Sequence, residues 1–377
     1  MKKTPGTLLI EQEVERYGPM DFEKFMTLAL YHSRYGYYSK NVSPRGRGGD
    51  YFTSLQVSSL FPSIWADAII EMKKTLGTDQ FSLVEWGAGD GEFLLGVIHA
   101  LEEKNELKRM RFWAVEASRS AREKLVRKLS RFPKCSVVSS IEEIDVPGGL
   151  EGCFFSNEFF DALPFRRLRR FGSTWKEIVV SLSQGALKET EGEFNDLPSL
   201  VAHGISQLEF EEGQEIELRP QASSWIQNWG SLLARGYVAT VDYGFPRPFL
   251  YSPKRMKGTW QCFSSHQAHQ NPLLEIGKDD ITAHIDFTQI AEAGRPIGLQ
   301  PELFCSQGIF LSFMGEERIQ KYLQTLDPLE QKKRIAGLQQ LTHPDAMGEA
   351  FWVLIQSKEA PLPDKLKTIP NRLRRLI

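Results

Sequence analysis

The sequence predicts an α/β fold built on a parallel, doubly wound sheet. Two observations carry that reading. Between residues 81 and 157, short apolar runs alternate with segments of helical periodicity at strand–helix–strand spacing. The first of those runs turns directly into Glu85-Trp86-Gly87-Ala88-Gly89-Asp90-Gly91, a glycine-rich passage from strand to helix.

The elements follow in order. FSLVEW (81–86) is a strand, and EFLLGVIHALEE (92–103) is a helix with Phe93, Leu94, Val97, Ile98 and Leu101 on one face. RFWAVEA (111–117) is the second strand, SRSAREKLVRKLSRF a basic-faced helix, and CSVVSS (135–140) the third strand. A short helix is expected near Ile141–Ile144, and GCFFSN (152–157) is the fourth strand. Upstream, Phe22, Phe25, Met26, Ala29 and Leu30 share one helical face, as do Leu60, Phe61, Ile64, Trp65, Ala68, Ile69 and Met72. Ser59 is placed to cap the second of these helices, with Pro62 tolerated in its first turn.

Residues 165–220 break the rhythm and read as an antiparallel meander, because strand-like runs are separated by Phe-Gly-Ser-Thr and Ser-Gln-Gly-Ala turns. ASSWIQNWGSLLARG is a helix expected to end at Gly236, followed by a strand, YVATVDYG (237–244). Residues 245–280 are rich in Pro, Gly and polar side chains and read as a functional loop. An edge strand is expected at Glu349–Ser357, and no internal repeat is visible. The expected organisation is an N-terminal helical extension (1–78), a Rossmann-like core (79–164), a meander with a later core strand and loop (165–280), and a C-terminal completion of the core (281–377).

Composition sets outer bounds. With 377 residues the chain is too long for one ordinary core, and 41% apolar with 25% charged residues is the balance of a soluble globular protein. A net charge of -2 gives no general attraction to nucleic acid or to an anionic membrane. The clusters Arg166-Arg167 with Arg169-Arg170, and Arg372, Arg374 and Arg375, read as solvated faces. Cys135, Cys153, Cys262 and Cys305 are far apart, which argues against a disulfide framework and a zinc–cysteine site and for a reducing compartment. MKKTPGTLLIEQEVERYG lacks the apolar core of a signal peptide and meets acidic residues too early for a transit peptide. No apolar run approaches the ~20 residues of a membrane span. A cytoplasmic location is the expectation.

The glycine passage narrows the chemistry. A dinucleotide fold wants G-x-G-x-x-G with pyrophosphate on the helix dipole, whereas Gly87, Gly89 and Gly91 are spaced G-x-G-x-G. Glu85, two residues before the first glycine, cannot help a pyrophosphate but can hold an ammonium, which points to the methionyl end of S-adenosylmethionine (SAM). Glu116 ends the second strand, where a carboxylate can accept both ribose hydroxyls. A surface glutamate at a helix start is the plainer alternative. In SNEFFDALP (156–164), Asn157 could cap a helix with Glu158 and Asp161 near its positive end, or the acids could face a ligand.

FEKFMTLALYHSRYGYYS, GRGGDYFTS, LVEWGAGDG, NEFFDALP, the DYG at Asp242–Gly244, HQAHQNPLLEIGKDDITAHIDFT and MGEAFWVL occur in that order. In this succession the chain resembles the MidA-like family of SAM-dependent methyltransferases, whose mitochondrial branch contains the arginine methyltransferase needed for respiratory complex I assembly. It departs at Trp86-Gly-Ala-Gly-Asp, where the family commonly reads leucine, proline and arginine, and around residues 300–340. The resemblance implies a class I (Rossmann-like) methyltransferase sheet with an N-terminal helical extension and an inserted antiparallel, loop-rich substrate region. It implies SAM as cofactor and a protein acceptor, an arginine guanidinium, with a respiratory complex I subunit as a candidate partner.

On that basis Glu85, Gly87, Gly89, Gly91 and Glu116 are expected to hold the cofactor, with Asp50 and Thr53 folding over it from the N-terminal extension. Asn157, Glu158 and Asp161 are the expected catalytic group, the carboxylates orienting the guanidinium fork and Asn157 bridging cofactor and substrate. Asp242, Tyr243, His266 and His284 are expected at the substrate. His266, His269, His284 and Asp286 invite a metal reading, but methyl transfer from SAM needs no metal and none is expected. A small-molecule methyltransferase and a noncatalytic partner-binding platform are the competing functions; a nicotinamide enzyme is disfavoured by the glycine spacing.

Overall fold

The computed structural model describes residues 3–39, 60–264, 267–324 and 328–376. The chain divides into two compact units, each assembled from separated stretches of sequence. One takes the described parts of 1–51, 160–222 and 245–289; the other takes those of 52–159, 223–244 and 290–377.

The principal helices and strands run α1 (Pro5–Tyr17), α2 (Phe22–Tyr31), α3 (Leu60–Leu76), β1 (Phe81–Trp86), α4 (Glu92–Glu103), β2 (Met110–Val115), α5 (Arg119–Leu129), β3 (Cys135–Val138) and β4 (Leu150–Asn157). They continue through β5 (Arg166–Phe171), β6 (Thr174–Ser183), β7 (Ala186–Glu193), β8 (Glu215–Leu218), α6 (Pro220–Leu232) and β9 (Leu233–Phe245). The remainder is β10 (Gln261–Ser264), β11 (Gln267–His269), β12 (Asp280–Thr282), α7 (Phe287–Gly294), β13 (Gln300–Ser306), α8 (Gln307–Gln324), α9 (Pro328–Thr342) and β14 (Phe351–Lys358).

In the second unit, β13-β14-β9-β4-β1-β2-β3 form one sheet. β9, β4, β1, β2 and β3 pair in parallel, and β14 runs antiparallel to both β9 and β13. The chain starts in the middle at β1, builds out to β3, then returns to β4 on the other side. Ligand crevices open at such a reversal, above the carboxyl ends of the two central strands. Apolar side chains bury one sheet face: Phe93 of α4 stacks on Phe155 of β4 at 4.0 Å, and Trp65 of α3 stacks on Phe310 at 4.3 Å. These residues belong to one continuous core with Leu83, Val241 and Val353.

Two sequence expectations need correction here. The C-terminal strand is not an edge: β14 lies between β13 and β9, with Val353, Leu354 and Ile355 fully buried. Its apolar run fits burial on both faces, and β13 takes the edge. The helix α6 stops at Leu232, before Gly236. Gly236 instead sits within β9, in register with Gly152 of β4. A Cβ on Gly236 would lie 2.0 Å from the Gly152 carbonyl oxygen, so this glycine permits close strand approach and caps no helix.

The first unit contains the antiparallel meander. Met20–Asp21, β6, β5 and β8 pair in that order, and β7 pairs with β6. The 245–280 stretch carries β10 and β11, and β10 pairs antiparallel with β11 and β12. Two apolar clusters support this unit, one around Phe22, Phe25, Phe165 and Trp260, the other around Leu168, Trp175, Ile216 and Tyr251.

The arginine cluster of β5 is not a solvated face. Arg166 makes a bidentate contact with Glu177 at 2.7 Å for each bond, and Arg167, 3% exposed, reaches Glu189 and, at 2.9 Å, Glu215. Arg169 also binds Glu215, at 2.6 Å. Buried guanidiniums need such partners, and the alternating glutamates of neighbouring strands supply them. At the start of α2, Asp21 accepts the Lys24 backbone N–H at 2.7 Å. Asp21→Ala is therefore expected to lower stability by about 1 kcal/mol, read as a denaturation midpoint shifted without a change in slope.

Candidate active site

The carboxyl ends of the central strands finish level. Trp86 of β1 pairs with both Val115 of β2 and Ser156 of β4, and Asn157 pairs with Val241 of β9. The glycine loop begins from that rim. The N–H groups of Gly87 and Ala88 both donate to the Val115 carbonyl, at 3.0 and 3.1 Å. Gly87, Gly89 and Gly91 have φ of 69, 55 and 78°, a left-handed course that would strain other residues. A Cβ on Gly91 would also lie 2.4 Å from Leu125 Cδ2, so α5 packs against the loop where α4 starts.

Glu116 ties the second strand to this loop. Its carboxylate accepts the Gly89 N–H at 2.8 Å through Oε2 and the Ser118 N–H at 2.7 Å through Oε1. An ionised carboxylate offers about four lone-pair sites in all. Arg122 Nη1 donates to the Glu116 carbonyl at 2.7 Å, which holds the turn into α5. Glu85, 5% exposed, lies at the end of β1.

At the end of β4 no helix begins, so Asn157 is not a helix cap. Glu158 takes a φ of 52°, the left-handed region rarely used by residues with side chains, while its N–H donates to the Val241 carbonyl at 3.0 Å. Such a backbone persists only where surrounding structure enforces it, and it clusters at functional sites. Asn157 Nδ2 donates to Glu158 Oε1 at 3.1 Å. Asn157 Oδ1 is buried with no hydrogen-bond partner among the described residues.

The other expected residues distribute unevenly. Asp242 is fully buried at the end of β9 and accepts the Tyr243 N–H at 2.9 Å, while the Tyr243 ring meets Phe351 edge-on at 5.2 Å. Glu85, the glycines, Glu116, Asn157, Glu158, Asp242 and Tyr243 all belong to the unit that holds the large sheet. Asp161 and His284 belong to the other unit. There the buried Arg219 guanidinium donates to the carbonyls of Asp161 and Ala283, both at 3.1 Å, and of His284, at 3.3 Å. Burial, then Arg255 and Arg219, push the His284 pKa down to about 4, so it is neutral at neutral pH. Asp50, Thr53, His266 and the Ser59 cap lie outside the described residues.

Among the described residues no group of three or more His, Cys, Asp or Glu side chains could hold a metal ion. His269 Nε2 lies 3.3 Å from Asp279 Oδ2, a pairwise contact.

Sequence reasoning missed an aromatic group at the rim. Trp86 packs on Trp225 and Trp229 of α6, with centroids 5.0 and 5.3 Å away. Phe159 lies 5.6 Å from Trp225 and 5.7 Å from Trp229. The available signal was the spacing of Trp225 and Trp229, four residues apart on one helical face.

Comparisons with known proteins agree with this geometry. Residues 64–305 match the family model Methyltransf_28, described as "Putative S-adenosyl-L-methionine-dependent methyltransferase". A zebrafish (Danio rerio) protein named protein arginine methyltransferase NDUFAF7, mitochondrial, is 28% identical over 366 residues, covering 89% of this chain and 82% of its own length. The human protein of that name is 24% identical, covering 92% and 82%. The crystal structure of a Burkholderia thailandensis protein bound to S-adenosyl-homocysteine superposes with a TM-score of 0.87 at 26% identity, covering 98% of this chain and 96% of that one.

The curated relatives are named mitochondrial, which overturns the expectation of a cytoplasmic location. That expectation rested on the scattered cysteines, the makeup of the first residues and the lack of a long apolar run, none of which reports destination; the first residues fold as α1 with Ile10 and Val14 buried. Among the described residues no helix is long and apolar enough to cross a membrane.

The rim also fits the cofactor chemically. Left-handed glycines bare the backbone, carboxylates stand on either side of the loop, and the buried Asn157 Oδ1 is an acceptor without a donor among the described residues. With its class I sheet intact and SAM as its cofactor, the chain belongs to the Methyltransf_28 family of SAM-dependent methyltransferases.

Proposed function

We propose that the methyl acceptor is an arginine guanidinium of a protein, and that Glu158 is the residue that orients it. One observation carries this most: a carboxylate held at a left-handed φ of 52° where β4 meets the reversal of the sheet. The curated relatives' shared name supports the same acceptor class. The family resemblance extends the reading to a subunit of respiratory complex I.

In this reading Glu85 takes the cofactor ammonium, the loop of Gly87, Gly89 and Gly91 lies along the methionyl end, and Glu116 takes the ribose. When bound, SAM would supply an activated methyl group on its sulfonium. The protein's task is positioning. Glu158 pairs with two guanidinium nitrogens, leaves the third facing the methyl, and accepts a proton from one of the nitrogens it holds as the third is methylated. Asn157, already donating to Glu158 at 3.1 Å, fixes the carboxylate's orientation. Asp242 and Tyr243, at the end of β9 in the same unit, contact the segment that carries the guanidinium.

Radiolabelled methyl transfer into a lysate of the source organism, followed by peptide mapping, tests the acceptor. Label is expected on arginine of a protein, in acid-stable form. Label confined to small molecules, or to lysine or carboxylate side chains, removes the arginine assignment.

A further inference from the structure

The transfer to arginine draws on no side chain of α5, the basic-faced helix of the sequence. Yet Arg122, Leu125 and Lys128, three residues apart, form one row along that helix, and the row meets the cofactor loop. Arg122 Nη1 donates to the carbonyls of Glu116 and Ala117, at 2.7 and 2.6 Å. A Cβ on Gly91 would run into Leu125 Cδ2. Lys128, half-buried, donates through Nζ to the Asp90 carbonyl at 2.9 Å and to Glu92 Oε1 at 2.5 Å.

The Asp90 carbonyl and the Gly91 N–H are the two ends of one peptide group. Its N–H donates to the Ala88 carbonyl at 2.8 Å, and Lys128 holds the other end. Gly91 stands at a φ of 78°, but glycine takes either sign of φ readily, so the residue itself does not keep that peptide from turning over. A turned peptide would reverse its dipole beside the charged methionyl end of the cofactor. The Lys128 ammonium gives the carbonyl a charge-assisted bond, stronger than a neutral donor would. We propose that Lys128 is a positioning residue for SAM: standing outside the loop, it fixes the Asp90–Gly91 peptide in the orientation that receives the cofactor. It rests on the reading that this loop lies along the methionyl end. S-adenosyl-homocysteine has the same methionyl end, so Lys128 acts on both ligands alike.

Calorimetric titration of the full chain with SAM and, separately, with S-adenosyl-homocysteine tests this. Lys128→Met keeps the apolar stem but removes the donor and the charge. Affinity for both ligands is expected to fall about three- to tenfold, the scale of one partly exposed charged hydrogen bond, with the melting temperature within about 2 °C of the parent's. Lys128→Arg restores donor and charge and should bind within about twofold of the parent, which a role in packing alone would not require. Glu92→Gln removes the ion pair but spares the bond to Asp90, so it too should stay within about twofold. Parental affinity in a folded Lys128→Met protein overturns the proposal. So does a Glu92→Gln loss as large as that of Lys128→Met, which would assign the effect to the pair between helices. Failure of Lys128→Arg to restore binding reduces Lys128 to a packing residue. Should Lys128→Met not fold, as judged by melting, the uncharged Lys128→Gln is read by the same affinities. Glu85→Ala separates failure of the underlying reading: both ligands carry the ammonium, so both should weaken. Unchanged binding of both there means the loop does not hold the methionyl end, and the role of Lys128 falls with it. If Glu85→Ala weakens both ligands and Lys128→Met neither, only the role of Lys128 is lost.

Discussion

Glu158→Gln is expected to lower methyl transfer by roughly two orders of magnitude or more, the scale of a lost charged group in a preorganised site. The substitution keeps volume and leaves an oxygen for Asn157 but removes the charge that a guanidinium fork needs. SAM affinity should stay within about twofold, because the ammonium and ribose are assigned to Glu85 and Glu116. Glu158→Gly separates function from structure. At a φ of 52° glycine relieves the strain, so its melting temperature should match or exceed the parent's while transfer is lost. Parental turnover in a folded Glu158→Gln protein would reduce this acid to a backbone feature.

Glu116→Ala is expected to weaken SAM binding by about 1.5–3 kcal/mol, the range for hydrogen bonds to a charged group. The structure gives that loss two sources. The carboxylate would no longer meet the ribose, and the Gly89 N–H, now donated to it at 2.8 Å, would be released. Glu116→Gln retains one acceptor oxygen and should fall between the parent and the alanine variant. Titration calorimetry with a melting control reads both, and unchanged affinity in a folded Glu116→Ala protein removes this residue from the ribose site.

What could be read from the chain alone was whatever depends on neighbours in sequence. β1 and α4 fall where FSLVEW and EFLLGVIHALEE place them, because each is a periodic apolar segment and glycines separate them. Errors came where a distant partner decides. Gly236 after a helical run looks like a helix end, yet Gly152 of another strand is what demands a glycine there. The apolar run of β14 fits burial on both faces, but which strands flank it is settled by packing over more than a hundred residues of separation. Arg167 looks solvated until Glu189 and Glu215 arrive from two other strands.

The site divides the same way. The glycine loop and Glu116 were visible as motif and spacing. The left-handed backbone at Glu158 was not, because a helix start and a strained strand end share the letters N-E-F-F-D. The aromatic group was hidden because Trp86, Phe159 and Trp225 meet only through the fold.

The position of β14 bears on how this protein is made. As the chain leaves the ribosome, β9 emerges with one side paired to β4 and the other awaiting a strand that ends at Lys358. Synthesis of the next hundred or so residues leaves a row of unpaired amides and carbonyls along an apolar strand, the kind of edge that invites pairing with another nascent chain. A stop codon shortly before Phe351 would fix that transient state permanently, and such a product would need chaperones throughout its life even though its glycine loop and both assigned acids had already been translated.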